Sequence, residues 1–315
     1  MYIKIRPLAS GSSGNCTLLS AGGSSFLIDV GLSAVQTESA LSLVGIHPRD
    51  IRAVLITHEH LDHVRGLGVL CRKYGWPVYA NMATWAAIRK KHKDIPQRCI
   101  HTFGTGKEFS LGPVEVTPFL VPHDAAEPVG FVFSGQGLRC GIVTDTGCID
   151  GRWVQAIAGC QLVMLEANHD GHMLSANGAL PLARKERITS RLGHLSNEDC
   201  AAVLVQLAKA GAKTVYLCHL SEKNNTRSRA MTAAQHALTC AGYTDVNVRI
   251  AERNTPSSSA IIENKKIGGR RAADSSYCTE RRRAQPHPGV VEYRGASGGP
   301  GGRFVIWDSC DFLRV

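Results

Sequence analysis

With 315 residues, 43% of them hydrophobic and 20% charged, the chain has the make-up of an ordinary globular protein, long enough for one large α/β domain or two small ones. No apolar run approaches the roughly 18 residues of a membrane-spanning helix, and MYIKIRPLASGSSGN at the start lacks the apolar core of a secretory signal, so a cytoplasmic protein with no membrane association is expected. The formal charge of +10 favours an acidic partner such as nucleic acid, and the eleven cysteines, odd in number, scattered and without a C-x-x-C pair, argue for reduced, buried thiols rather than a disulfide framework.

Tyr2 to Pro7 alternates apolar and basic residues like a half-buried strand, and ASGSSGN (Ala9 to Asn15) then breaks it. That loop reads as a hairpin turn, with a phosphate cradle of backbone amides as the alternative; no Gly-Lys-Ser/Thr follows, which excludes a nucleotide P-loop. Thr17 to Ser20 and Ser25 to Asp29 continue as strands. Asp29, closing FLID, is placed to hold a loop or a ligand histidine. Ser33 to Val44 carries Ala34, Val35, Ala40, Leu41 and Val44 at helical spacing and stops at Gly45.

Ala53 to Thr57 then runs into HEHLDH. His58, His60, Asp62 and His63 put three imidazoles and a carboxylate within six positions at a strand end, a density that suits a divalent metal such as zinc or manganese. Period two lets His58 and His60 point one way while Asp62 and His63 swing to the other, so one loop can serve two adjacent ions.

Val64, Leu67, Leu70, Cys71 and Tyr74 form a helical stripe starting at these residues. Val78 to Ala80 reads as a short strand and Met82 to His92 as a basic helix. From Phe103 to Thr144 the texture is strand and turn, one strand leading to His123 and another (Cys140 to Val143) to Asp145; Val215 to Cys218 leads to His219. Four apolar strands thus finish on a metal-competent residue, and strand ends form a rigid rim on which such groups can converge. Ser196 can N-cap a helix with Asp199 at the capping-box position, an Ala202, Val203, Leu207 face and a stop at Gly211. Thr226 opens another (Met231, Ala234, Leu238) ended by Gly242, and Val246 to Ala251 is the last core strand. The hydrolase-like domain is expected over residues 1–253. Residues 254–315, rich in Gly, Ser, Pro and Arg, are expected to be a disordered extension with a short strand at Phe304 to Trp307.

HEHLDH, VPHD, TDTG and CHLS, in this order, resemble the metallo-β-lactamase superfamily. LASGSSGN, LEANHD (Leu165 to Asp170) and GHLSNED (Gly193 to Asp199) resemble more narrowly the YycJ/WalJ group of metallohydrolases within it. The resemblance implies an α/β fold, an αββα sandwich of two central mixed β-sheets flanked by helices, with a binuclear metal site on one edge. It further implies that His58, His60 and His123 bind one metal, Asp62, His63 and His219 the second, and that Asp145 bridges; Zn, Mn and Fe all suit five imidazoles and two carboxylates.

Two cations about 3.5–4 Å apart hold a water between them, lower its pKa and clamp the attacking and leaving oxygens of an in-line displacement. A hydroxide bridging two such metals is the expected nucleophile for phosphodiester hydrolysis. His194 is the expected general acid: it lies just before a helix N-terminus that attracts phosphate, and GHLS resembles the Gly-His-Ser/Thr motif of tRNA 3′-processing nucleases, whose histidine protonates the leaving group. Asp62, His194 and Glu166, the last orienting His194, make the expected catalytic set. His169 and Arg187, the latter within the Arg184, Lys185, Arg187, Arg191 cluster, are expected substrate contacts; structural hydrogen bonding for Glu166 and His169 and a solvated basic face for the arginines are the alternatives. The YycJ/WalJ resemblance implies a DNA substrate and 5′ to 3′ exonuclease activity. Alternatives are a tRNA 3′-processing-like endoribonuclease, against which the lack of a Gly/Pro-rich insertion between Asp145 and His194 counts, and a thioester, lactone or β-lactam hydrolase, which would have no need of His194. Oligomeric state leaves no mark in the sequence.

Overall fold

A computed structural model describes residues 1–264. The first half runs β1 (Tyr2–Ala9), β2 (Cys16–Ala21), β3 (Ser24–Ile28), α1 (Ala34–Leu43), β4 (Ile51–Leu55), α2 (Leu61–Val64), α3 (Leu67–Tyr74), β5 (Val78–Ala80), α4 (Met82–Lys91) and β6 (Ile100–Thr102). The second half runs β7 (Phe109–Leu111), β8 (Val114–Leu120), β9 (Val129–Gly135), β10 (Leu138–Val143), α5 (Gly151–Ile157), β11 (Leu162–Glu166), α6 (Gly171–Ala176), α7 (Leu182–Thr189), α8 (Asn197–Lys209), β12 (Thr214–Cys218), α9 (Arg227–Cys240), β13 (Asn247–Ile250) and β14 (Ala260–Glu263).

The strands form two seven-stranded mixed sheets, ordered β14-β1-β2-β3-β4-β5-β6 and β13-β12-β11-β10-β9-β8-β7. In each, an antiparallel meander passes into parallel strands, at β3–β4 in the first and β10–β11 in the second. Strands covered on both faces need continuous apolar runs, and β11 (LVMLE) is buried at every position; β1, with one face partly exposed, alternates. Ile3, Phe26 and Leu55 of the first sheet meet Val116, Phe131 and Tyr216 of the second in a central core. Leu41, Leu70 and Trp85 of α1, α3 and α4 cover the outer face of the first sheet. Trp153, Leu204 and Leu238 of α5, α8 and α9 cover that of the second. This is the expected αββα sandwich.

Helix faces were only partly legible. Of the α1 stripe, Ala40 and Leu41 are buried, but Val35 is 75% exposed. In α8, Ala202 faces solvent and Ala201 and Leu204 take its place beside Val203 and Leu207. The helix that starts at the metal-competent loop is two, α2 and α3, parted at Gly66, where a Cβ would lie 2.5 Å from the Leu32 carbonyl oxygen.

The core also continues beyond the expected end at residue 253. β14 pairs antiparallel with β1, Ile3 opposite Ile262 and Ile5 opposite Ala260, Ser257 N–H donates to Pro7 O, and the Tyr216 hydroxyl donates to Ser258 O. A four-residue edge strand is too short to show a period of its own. It is specified by the free edge of β1. The expected strand at Phe304 to Trp307 lies outside the described residues. Among the described residues no helix is long and apolar enough to cross a membrane, and the nine cysteines are free thiols, seven of them buried.

Candidate metal centre

One edge of the sandwich gathers the strand ends. Past β4, the chain turns at Thr57 and delivers HEHLDH. From the second sheet, the ends of β8, β10 and β12 bring His123, Asp145 and His219 to the same place. Ligand-competent atoms lie within 4.8 Å of one another in His58, His60 and His123, in His58, His63 and Asp145, and in Asp62, His63 and His219. All seven residues singled out by resemblance therefore converge.

Hydrogen bonds fix which ring nitrogen of each histidine faces inward. His60 Nε2 lies 3.2 Å from the Asp124 carbonyl oxygen and His123 Nδ1 lies 2.9 Å from that of Gly193. Carbonyls only accept, so both nitrogens donate, and each neutral ring keeps its lone pair on the other. Those two, His60 Nδ1 and His123 Nε2, face each other at 3.3 Å, a repulsive contact unless a cation lies between. The Thr57 hydroxyl donates to Asp29 Oδ2 (2.9 Å) and so accepts from His58 Nδ1 at 3.0 Å. His58 Nε2 is left buried without a partner.

The other side repeats the pattern. His63 Nδ1 donates to Asp29 Oδ2 (2.7 Å), turning Nε2 toward Asp145 Oδ2 at 3.0 Å. That oxygen makes no hydrogen bond of good geometry, as befits two ligands converging on one ion. Asn15 Nδ2 lies 3.0 Å from His63 Nε2. His219 Nδ1 lies 2.9 Å from both Asp145 Oδ1 and Glu166 Oε1, leaving Nε2 partnerless and 3.6 Å from Asp62 Oδ2. Buried lone pairs without donors are rare in folded proteins, and here they point at common centres. The donor set, imidazoles with carboxylates, suits divalent transition metals.

Electrostatics divide the cluster. Burial disfavours the charged form of His63, but Asp29 and Asp145 outweigh it and hold its pKa well above the imidazole range. Burial of His219 is likewise outweighed, by Asp145, Asp62 and Glu166. Asp145 is held well below the carboxylate range because His219 and His63 overcome its burial. Burial, helped by neighbouring imidazoles, instead lowers His58 and His123.

Behind the metal-competent floor, Glu166 ends β11 fully buried. Its Oε2 accepts the Thr146 and Leu195 amides (2.8 and 3.2 Å), and its Oε1 accepts His194 Nδ1 at 2.8 Å as well as His219. The close approach of Asp145, Glu166, His194 and His219 is therefore already satisfied by hydrogen bonds. Burial of His194 is outweighed by Glu166 and Asp145, and its pKa is pushed up to about 9. Ser196 caps α8 through the Asp199 amide (3.0 Å), holding the loop that carries His194. Gly193 is required there: a Cβ would fall 2.2 Å from the carbonyl oxygens of Arg187 and Ile188.

A cavity of about 510 Å³ opens above, lined by His60, Asp62, Asp145, His194, His219 and Arg187 among others. Arg187 Nε donates to Asp124 Oδ2 at 2.6 Å. His169 does not line it. It is buried beside α8, where its carbonyl accepts the Asn197 amide while its side-chain Nδ1 has no hydrogen-bond partner.

Several residues in the site were not singled out from the sequence. Ser10 Oγ accepts the amide of His219, which sits at φ 54°. Asn168 Nδ2 donates to the His219 carbonyl. Asp124 joins Arg187 to the His60 and His123 side, its Oδ1 3.4 Å from His123 Nε2. All four stand inside quoted motifs, Ser10 and Asn15 in LASGSSGN, Asn168 in LEANHD and Asp124 in VPHD, the one signal that marks them.

Comparison with known proteins bears on the whole assembly. A family model described as a beta-lactamase superfamily domain matches residues 24–220. An exodeoxyribonuclease YycJ of Bacillus anthracis is 38% identical over 243 residues, 77% of this chain and 92% of the relative. An exodeoxyribonuclease WalJ of Streptococcus pneumoniae is 39% identical over 227 residues, 71% and 83% of the two chains. Among solved structures, the metallo-beta-lactamase fold protein YhfI of Bacillus subtilis superposes with a TM-score of 0.62 at 18% identity, covering 81% of this chain and 99% of that one.

Proposed function

The chain belongs to the metallo-β-lactamase superfamily, as a YycJ/WalJ-type member, and from that premise we propose that it is a metal-dependent cytoplasmic nuclease that removes nucleotides from DNA in the 5′ to 3′ direction. The observation that carries the reading is His194 at the cavity, hydrogen-bonded to a buried Glu166 that is itself locked by two backbone amides. The alkoxide leaving group of a phosphodiester needs a proton, which an oriented imidazolium can supply, whereas the thiolate leaving group of a thioester does not.

We assign His58 Nε2, His60 Nδ1 and His123 Nε2 to one divalent ion, His63 Nε2, His219 Nε2 and Asp62 to a second, and Asp145 to both. Bound there, such ions would acidify a water and neutralise phosphate charge. The chain's own residues do the rest. His194, its pKa raised by Glu166 and Asp145, presents Nε2 to the leaving oxygen; Glu166 holds the ring; Arg187 offers a guanidinium to a phosphate; Asp29 and Thr57 keep His58 and His63 turned inward. Catalysis belongs to the domain formed by the described residues. Zinc and manganese are the expected metals.

Metal binding requires neutral imidazoles, so filling the Asp62, His63, His219 group should displace protons, while the His58, His123 pair, already neutral, should release none. The raised His63 and His219 pKa values stabilise the metal-free fold fully below the ordinary imidazole value of about 6.5 and less as pH rises through the raised values. Metal affinity at that group should therefore climb with pH across the same window. Titration calorimetry in two buffers of different ionisation heat reads the proton count; zero release at both groups would refute the assignment.

The function is tested by incubating metal-loaded protein with 5′-labelled single-stranded DNA, duplex DNA and RNA. Mononucleotide release from DNA is expected. No cleavage by correctly metallated protein would reject the reading, and endonucleolytic cutting of RNA alone would favour the tRNA-processing alternative. Against that alternative, residues between Asp145 and His194 are taken up by α5, β11, α6 and α7 rather than by a flexible arm.

A further inference from the structure

Resting on the nuclease reading, we propose that the cavity grips one unpaired nucleic-acid strand through its backbone phosphates alone and is blind to the bases, so that an abasic strand is bound and cut like a natural one. Cationic and hydroxyl groups come to the cavity from three separate elements: Arg184 and Arg187 from α7, Lys223 from the β12–α9 connection and Ser12 from the β1–β2 loop. Arg184 and Lys223 are exposed, and among the described residues neither is held in an ion pair. Arg187 is held by Asp124, an anion that an entering phosphate can replace.

Among the described residues the cavity offers a base no Trp, Tyr or Phe ring to stack on, whereas sites that hold unpaired bases stack them on such rings. Its amides are partly engaged: Asn168 Nδ2 donates to the His219 carbonyl, and Asn224 Oδ1 accepts from Asn177. The remaining apolar lining is Leu180 and Ile188, aliphatic side chains without donors or acceptors. A volume of about 510 Å³ is that of a small-ligand pocket, and a duplex, whose major groove alone is about 12 Å wide, does not enter it. A phosphate at the metal-competent floor then has its neighbours along the strand within reach of the cationic rim.

The test uses full-length, chelator-treated protein and fluorescence anisotropy with two single-stranded oligonucleotides, one natural and one abasic at its 5′-terminal positions, over a range of salt, followed by addition of manganese to read cleavage. Equal affinities are expected. Arg184→Ala and Lys223→Ala should each flatten the salt dependence by about 0.7 in log–log slope, the value for one lost single-strand phosphate contact. If stacking carried the grip, each missing base would weaken binding by about 5- to 150-fold; that loss, or unchanged slopes in both variants, overturns the proposal. Equal binding of both strands with neither cut would support the grip and count against the nuclease reading instead.

Discussion

Replacing His194 with alanine is expected to cut phosphodiester cleavage by about 10²- to 10⁴-fold, the usual worth of a positioned general acid, with metal content unchanged. The reason lies in the partition of the site. His194 Nδ1 is tied to Glu166 Oε1, 2.8 Å away, whereas the inward-facing nitrogens of His58, His60, His63, His123 and His219 belong to other rings. The loss should depend on the leaving group. A natural DNA 3′-oxygen departs as a basic alkoxide and needs the proton, whereas a 4-nitrophenyl phosphodiester releases a stable anion and does not. His194→Ala should therefore spare most of the activity on the nitrophenyl ester. Glu166→Gln should cost more than the His194 contact, because both Glu166 oxygens accept hydrogen bonds, one from two backbone amides and the other from His194 and His219, and the Gln NH2 would face donors on either side. Equal losses on both substrates would mean that His194 serves the metal site rather than the leaving group.

Removing the metals is expected to abolish cleavage and to lower the melting temperature by about 5–10 °C, since ligand present at 100 times its Kd stabilises by about 2.7 kcal/mol and a domain of this size shifts by about 2–4 °C per kcal/mol. Asp145→Ala should reproduce both effects without a chelator. Its carboxylate stands 3.0 Å from His63 Nε2 and 2.9 Å from His219 Nδ1, so its loss leaves two buried imidazoles facing each other without the anion that reconciles them. Metal analysis by mass spectrometry and a thermal melt read the outcome. A variant that retains the wild-type metal content and melting point would show that Asp145 is not the shared group.

How much of this was legible depended on how far each partner lay along the chain. HEHLDH was readable because four ligands fall within six residues, and a local loop brings them together whatever the rest of the fold does. His123, Asp145 and His219 were readable as a set because each ends an apolar strand, and strand ends of one sheet share an edge. Individually each was unremarkable. Ser10 stood in the quoted LASGSSGN motif, but its partner could not be read: its hydroxyl serves His219, 209 positions away, and no sequence period links a serine in a β1–β2 turn to an amide after β12. His169 stands apart from the cavity. Its neighbourhood in LEANHD marked it, yet the turn after β11 rotates it into the packing beside α8 while Glu166, three residues earlier, points at His194. β14 was missed because an edge strand of four residues is chosen by the edge it completes.

Strand and helix periodicity and the strand-end pattern thus determined, from the residues alone, most of the elements and a set of candidate metal-competent residues, and the motifs, by resemblance, implied the superfamily and with it the sandwich. Only the folded chain decided which nitrogen of each ring faces inward, that Glu166 serves His194 and His219 with one oxygen, that Asp124 rather than a solvated face receives Arg187, and that the first sheet takes in β14 beyond residue 253. The division has one cause. Residue type and spacing are properties of the local chain, whereas the direction of a lone pair is set by whichever distant carbonyl or carboxylate the packing of two sheets happens to bring within hydrogen-bond reach of the other nitrogen.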